Sequence, residues 1–236
     1  MIVHPAPDGL ELITQPDHAH LARAIMEHCA DLQSRPRRES ILYAIGEHDN
    51  GWEEEDAAPT VNPVDGTIAD FVTAPLGMRH AVWPRGVARL ARDPWAAALV
   101  AQHAITVYDR FRPDPDWTRF FSEMECARDA MLRASGLSRD ELLLDYPFVR
   151  LGDLISLTFC TGWTAEQRYD DWTVVRSGTS VLVKPDPFGG VTIPFEIHAR
   201  ALPAGTFRTD ADLRNALGRA PTITLSGQVA ATRFAA

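Results

Sequence analysis

The sequence predicts a mainly α protein, a helical bundle with a small C-terminal antiparallel β addition. Three observations predict it. Apolar residues recur at helical spacing through most of the first 163 positions. Helix-start and helix-stop residues flank those stretches. After Gly162 the pattern changes to short β-branched runs separated by turn residues. The expected division is a helical core over 1–163 and a β-rich extension over 164–236 packed on it.

The first expected helix spans 17–34, with Leu21, Ala24, Ile25, Cys29 and Leu32 on one stripe and Asp17 as N-cap. Pro36 separates it from a second helix over about 37–49. Residues 50–75 hold Pro59, Pro63, Gly66 and Pro75 and read as a long loop, a length often given to lids and binding loops. Helices resume over 76–92 and 94–111, the latter with Asp93 as N-cap and Pro94 at its first position. Its run from Trp95 to Ala104 is apolar nearly all round, which predicts a buried helix. Another helix spans 116–135 and stops at Gly136. Ser138 and Glu141 then form a capping box for a helix with a break expected at Pro147 and a restart covering Val149 to Cys160. Strands are expected at 173–175, 180–183, 191–193 and 223–225, with a turn at 186–190 and a short helix at 210–218.

Composition narrows the function classes. The chain has 236 residues, 45% hydrophobic and 23% charged, as in ordinary globular proteins. No apolar run reaches the roughly 18 residues of a membrane span, and the N-terminus has no signal-type pattern, so a cytoplasmic location is expected. Net charge is −9, and the one dense basic run is Arg35-Pro36-Arg37-Arg38, so nucleic acid is not an expected partner. Cys29, Cys126 and Cys160 are odd in number and far apart, which predicts buried reduced thiols rather than disulfides or a cysteine zinc site.

The chemistry centres on the doublet His48-Asp49. His18, His48, His80, His103 and Asp153 follow one another at intervals of 30, 32, 23 and 50 residues, each on or near a different expected helix. Several helices of a bundle, each pointing one ligand inward, build a metal site. Imidazole and carboxylate together suit Fe, Mn, Zn or Ni. Polar residues on apolar helix faces need a partner when buried, and a metal is one such partner. His4, His20, His28 and His198 show no comparable context, with His20 the substitute should His18 point outward.

The order His, His-Asp, His, His, Asp on successive helices resembles the HD-domain superfamily of metal-dependent enzymes. More narrowly, the stretches Gln15-Pro16-Asp17-His18-Ala19, His48-Asp49-Asn50-Gly51-Trp52, Leu99-Val100-Ala101-Gln102-His103 and Leu151-Gly152-Asp153-Leu154 are similar to the family DUF3891. The superfamily resemblance implies an HD-domain-like helical core with one or two metal ions, Fe favoured for a dinuclear site and Mn, Zn or Ni as alternatives. It implies that His18, His48 and Asp153 bind one metal, that His80 and His103 bind a second, and that Asp49 bridges them. Where many superfamily members place a lysine three residues after the aspartate, this chain has Trp52.

The expected activity is a metal-dependent hydrolase of the HD-domain type. It would act on a small, phosphorylated or other, substrate through metal-activated water. Asp49, Trp52 and Arg85 are the candidate catalytic residues, and Arg128 or Arg150 are further phosphate clamps. A mixed-valent di-iron oxygenase acting on a small polar substrate is the alternative, and a non-catalytic metal-binding protein the third reading. A homodimer is compatible with all three. Trp52 and Phe71, from the long loop, are expected to wall the pocket, with Tyr43 nearby.

Overall fold

The structure is a computed structural model describing residues 1–231. It opens on a hairpin, β1 (Ile2–Ala6) and β2 (Gly9–Ile13). Then come α1 (Gln15–Met26), α2 (Ala30–Gln33), α3 (Arg38–Glu47), a 3₁₀ turn at Asn50–Trp52, α4 (Glu53–Ala57), α5 (Leu76–Arg89) and α6 (Pro94–Tyr108). A second 3₁₀ turn at Asp109–Phe111 leads to α7 (Pro115–Ser135) and α8 (Arg139–Thr161). The chain continues with β3 (Gln167–Tyr169), β4 (Trp172–Ser177), β5 (Ser180–Lys184), β6 (Ile193–Leu202), α9 (Asp210–Arg219) and β7 (Thr222–Ala231).

This corrects the expected fold class. About 52% of the described residues are helical, and the chain carries a seven-stranded mixed sheet, so it is an α+β protein and not a mainly α HD-like bundle with a small β addition. The strand order is β1-β2-β6-β7-β5-β4-β3. The sheet therefore draws its first two strands from the N-terminus. It is also not purely antiparallel, because β5 and β7 pair in parallel. β6 sits near its middle and alternates cleanly, with Ile193, Phe195, Ile197 and Ala199 buried and Glu196 and His198 exposed.

α1 and α8 lie between this sheet and helices α3 and α6, while α9 packs on β6. α1 packs on β6, and α8 packs on β1, β4 and β5, while both also contact α3. α6 lies further in, against α3, α5, α7 and α8, and is buried from Trp95 to Ile105 as its all-round apolar sequence predicts. One hydrophobic core joins residues of these helices to Val174, Val181, Val183 and Val229 of the sheet. Close approach inside it needs glycine at 152. A Cβ there would lie 2.9 Å from Met26 and 3.1 Å from Ile45, so Gly152 lets α8 settle against α1 and α3.

Several local expectations change. α1 is capped by Thr14, whose side chain accepts from the Asp17 N–H, and not by Asp17. The stretch 17–34 splits into α1 and α2. α8 runs unbroken through Pro147. Proline deprives the carbonyl four residues earlier of its N–H partner, and that residue, Leu143, lies on the exposed face where solvent can serve. The 50–75 segment is partly ordered by α4 and by a bridge between Val61 and Ile68. Cys29 and Cys160 are buried thiols as expected, but Cys126 is exposed. No helix among the described residues is long and apolar enough to cross a membrane.

Candidate metal centre

Four elements bring five of the six expected ligands together. His18 comes from the first turn of α1, His48 caps the C-terminus of α3 and Asp49 follows it, His103 lies in the buried middle of α6, and Asp153 lies in α8. All five are at most 8% exposed. His18 Nε2 is 2.9 Å from Asp49 Oδ2 and 4.0 Å from Asp153 Oδ1. His48 Nε2 lies 3.6 Å from Asp49 Oδ2 and 3.4 Å from Asp153 Oδ1. His103 Nε2 is 3.5 Å from Asp153 Oδ2.

These separations fit coordination of an ion within each of two overlapping sets. Two donors each about 2.1 Å from an ion lie about 3.0 Å apart at a right angle and about 3.4 Å apart at the tetrahedral angle. Two overlapping triads, His18-His48-Asp49 and His48-His103-Asp153, meet the spacing a metal ion requires, and His48 belongs to both.

The imidazoles are oriented from behind. His48 Nδ1 donates to the Ile45 carbonyl at 2.7 Å. That leaves Nε2 buried and without a hydrogen-bond partner, an uncompensated polar atom facing two carboxylates. His18 Nδ1 lies 2.9 Å from Ser156 Oγ, whose own hydroxyl donates to the Asp153 carbonyl at 3.1 Å. Ser156 therefore accepts from His18 Nδ1–H, which turns Nε2 toward the carboxylates. His103 Nδ1 lies 3.2 Å from the Tyr146 hydroxyl. All three rings thus use Nδ1 for support and Nε2 for the centre, as metal-ligating histidines do.

Electrostatics agree. Burial alone would depress His48, but the Asp49 and Asp153 carboxylates outweigh it and raise its pKa to about 9. Burial pushes Asp49 and Asp153 up, yet both end below the ordinary carboxylate range. His48 and His18 hold Asp49 down, and His48, Arg150 and His103 hold Asp153 down. His103 falls to about 3, chiefly because it is buried. A pair of buried carboxylates that favours a proton on His48 favours a cation in the same place.

His80 is not part of the cluster. Its ring stacks on Phe120 and meets Trp117 edge-on, at centroid distances of 5.2 and 4.6 Å. On α5 the residues facing the centre are Arg79 and Trp83, four apart. His80 lies about 100° further round the helix. The second-metal role expected for it has no geometric basis. Arg85 also stands away from the centre. It donates to the Gly51 carbonyl at 2.6 and 3.0 Å and pairs with Glu55 and Glu54, bracing the turn that follows Asp49. That turn approaches α5 so closely that a Cβ on Gly51 would fall 2.0 Å from the Val82 carbonyl oxygen. Arg128 is buried against Gln102 and Asp129.

Beside the five ligands opens a cavity of about 320 Å³. Asp49, His103 and Asp153 form its floor. Trp52 and Phe71 wall it, as expected, together with Trp83 and Trp163. Tyr108 also lines it, and burial pushes its pKa up to about 12, so its hydroxyl keeps its proton. Ser156, Tyr146, Arg79 and Arg110 are absent from the sequence-based candidates. Ser156 and Tyr146 are nevertheless in phase with Asp153 on α8, one turn after it and two turns before it.

Fold and site together define an α+β protein with a buried His/Asp cluster able to hold a metal ion. The chain belongs to the DUF3891 family, described as "Protein of unknown function (DUF3891)", which matches residues 1–204. No curated protein and no solved structure matches it. The resemblance to the HD-domain superfamily finds no support in these comparisons.

Proposed function

We propose that the protein is a metal-dependent hydrolase of small molecules, built on a single divalent ion held by His18, His48, Asp49, His103 and Asp153. The observation that carries this reading is the bare Nε2 of His48, buried between two carboxylates with its Nδ1 already engaged. Five donors on one side and an open cavity on the other differ from a closed four-ligand structural site, and favour catalysis over a purely structural metal. The oxygenase alternative assigns His80 to a second iron, and His80 points elsewhere.

A divalent ion in such a donor set supplies Lewis-acid polarisation and lowers the pKa of a coordinated water from ~15.7 toward ~7. The protein supplies the rest. Asp49 contacts both imidazoles through Oδ2 and lines the cavity, where its carboxylate would take a proton from the attacking water. Tyr108, which stays protonated, and Arg150 line the same cavity and donate to a substrate oxygen as charge develops there. Trp52, 3% exposed, and Phe71 keep bulk water from the floor.

The test is metal analysis of the purified protein, followed by a screen of ester, amide and phosphoester substrates with Mn, Zn or Fe restored. One ion per chain, with hydrolysis that disappears in His48→Ala, supports the reading. Stoichiometric metal with no hydrolysis on any of the three classes overturns the catalytic part, and a wild-type protein that binds no metal overturns the whole.

A further inference from the structure

The cavity beside the ligands is charged in an unbalanced way. Among the described residues, its acidic lining is Asp49 and Asp153, both of them in the ligand set. Arg79, Arg110 and Arg150 also line it. Once a divalent ion offsets the two carboxylates, three guanidinium charges remain.

Arg150 pairs with Asp153, but Arg79 and Arg110 have no carboxylate partner among the described residues. Instead both lean on one ring, with Arg110 at 5.0 Å and Arg79 at 5.7 Å from the Phe111 centroid. Two like charges gathered over one aromatic ring repel each other unless an anion joins them. Arg79 Nε is buried with no hydrogen-bond partner. Gln15, which lines the same cavity at 2% exposure, leaves its Oε1 without one as well. Arg85, Arg89 and Arg112, by contrast, are paired with glutamates.

We infer that this cavity takes a small organic anion, a carboxylate or a phosphoryl ester, whose charged head lies between the metal-ligand cluster and the arginines Arg79, Arg110 and Arg150. This rests on the metal reading above and names its substrate class. Guanidinium forks match both head groups bidentately. A volume of about 320 Å³ restricts the guest to a metabolite-sized molecule, and Trp83 and Trp163 offer its body an apolar wall.

Isothermal titration separates this inference from the metal reading. Mn²⁺ is titrated first, then inorganic phosphate, acetate or glycerol into the Mn²⁺-loaded protein. Phosphate or acetate should bind and glycerol should not, and which anion binds more tightly identifies the head group. Arg110→Gln, at an exposed position, should keep its Mn²⁺ stoichiometry and lose about tenfold in anion affinity, the worth of a charge-assisted hydrogen bond. Arg79→Met, which keeps the packing on Trp117, should do the same. Normal Mn²⁺ binding with no anion binding, or with anion affinity unchanged in both variants, overturns the inference and leaves the metal reading intact. Where Mn²⁺ does not bind, Zn²⁺ and Fe²⁺ are titrated in its place, and binding of none of the three defeats the metal reading. In that event anion binding lost in both arginine variants still supports the arginine site, and anion binding that is absent or unaltered by them overturns it.

Discussion

Ser156→Ala is a sharp perturbation because it removes one oxygen from a fully buried position and touches no ligand atom. Ser156 Oγ accepts from His18 Nδ1 at 2.9 Å, and its hydroxyl donates to the Asp153 carbonyl at 3.1 Å. Without it, the Nδ1–H of His18 has no partner in a dry site. Leaving such a donor unsatisfied costs about 1–3 kcal/mol, or about 5- to 150-fold in an equilibrium constant at ~1.4 kcal/mol per tenfold. Loss of a group supporting a metal-bound histidine weakens affinity by about 10–100-fold. The two estimates agree. The expected result is a 10–100-fold rise in the Kd for Zn²⁺ or Mn²⁺, measured by competition with a chelating indicator, with circular dichroism unchanged. An unchanged Kd would refute the reasoning, because it would mean that Nδ1 support does not set the orientation of His18.

The remaining predictions concern ligands, packing and the buried polar core. His48→Ala should lose stoichiometric metal, whereas His80→Ala should keep it and lower only Tm, both read by elemental analysis and thermal unfolding; metal loss in His80→Ala would contradict the placement of that ring. Gly51→Ala should destabilise by about 2–4 kcal/mol, since a Cβ 2.0 Å from the Val82 oxygen forces the turn after Asp49 off α5; denaturant unfolding within about 0.5 kcal/mol of wild type would show that the turn yields freely. Asp145→Ala should cost about 3–5 kcal/mol, because it strands Arg37 and the Trp95 Nε1–H around a fully buried carboxylate; a loss below about 1 kcal/mol would mean that these groups rehydrate.

Much of the site was legible because its ligands sit on helices with strong apolar periodicity. His103 follows a stretch of α6 that is apolar from Trp95 to Ala101, and Asp153 lies among Leu151, Leu154, Ile155 and Leu157 on α8, so both are buried polar groups needing a partner inside. The doublet at the end of α3 supplied two donors at once. His80 misled because its neighbours are mixed. Only the rotation of α5, set by Trp83 packing toward His103 at 5.7 Å, decides that Arg79 rather than His80 faces the centre.

The sheet was harder to read. Asp8-Gly9 between apolar stretches is a hairpin signal, but Pro5 and Pro7 obscure the alternation in β1. Pro5 is tolerated there because β1 is an edge strand, paired only with β2. Nothing local in Leu10-Glu11-Leu12 announces pairing with Arg200-Ala201-Leu202, far along the chain. The parallel pairing of β5 with β7 is equally nonlocal. Strand composition marks a strand but not its neighbour.

The most direct measurement is anomalous diffraction at the metal edge on crystals of the metal-loaded protein. The account predicts one peak per chain, about 2.0–2.2 Å from the Nε2 atoms of His48, His18 and His103, bordered by Asp49 and Asp153 and open toward the cavity. A peak centred on other residues, or none in crystals grown with saturating metal, would contradict it.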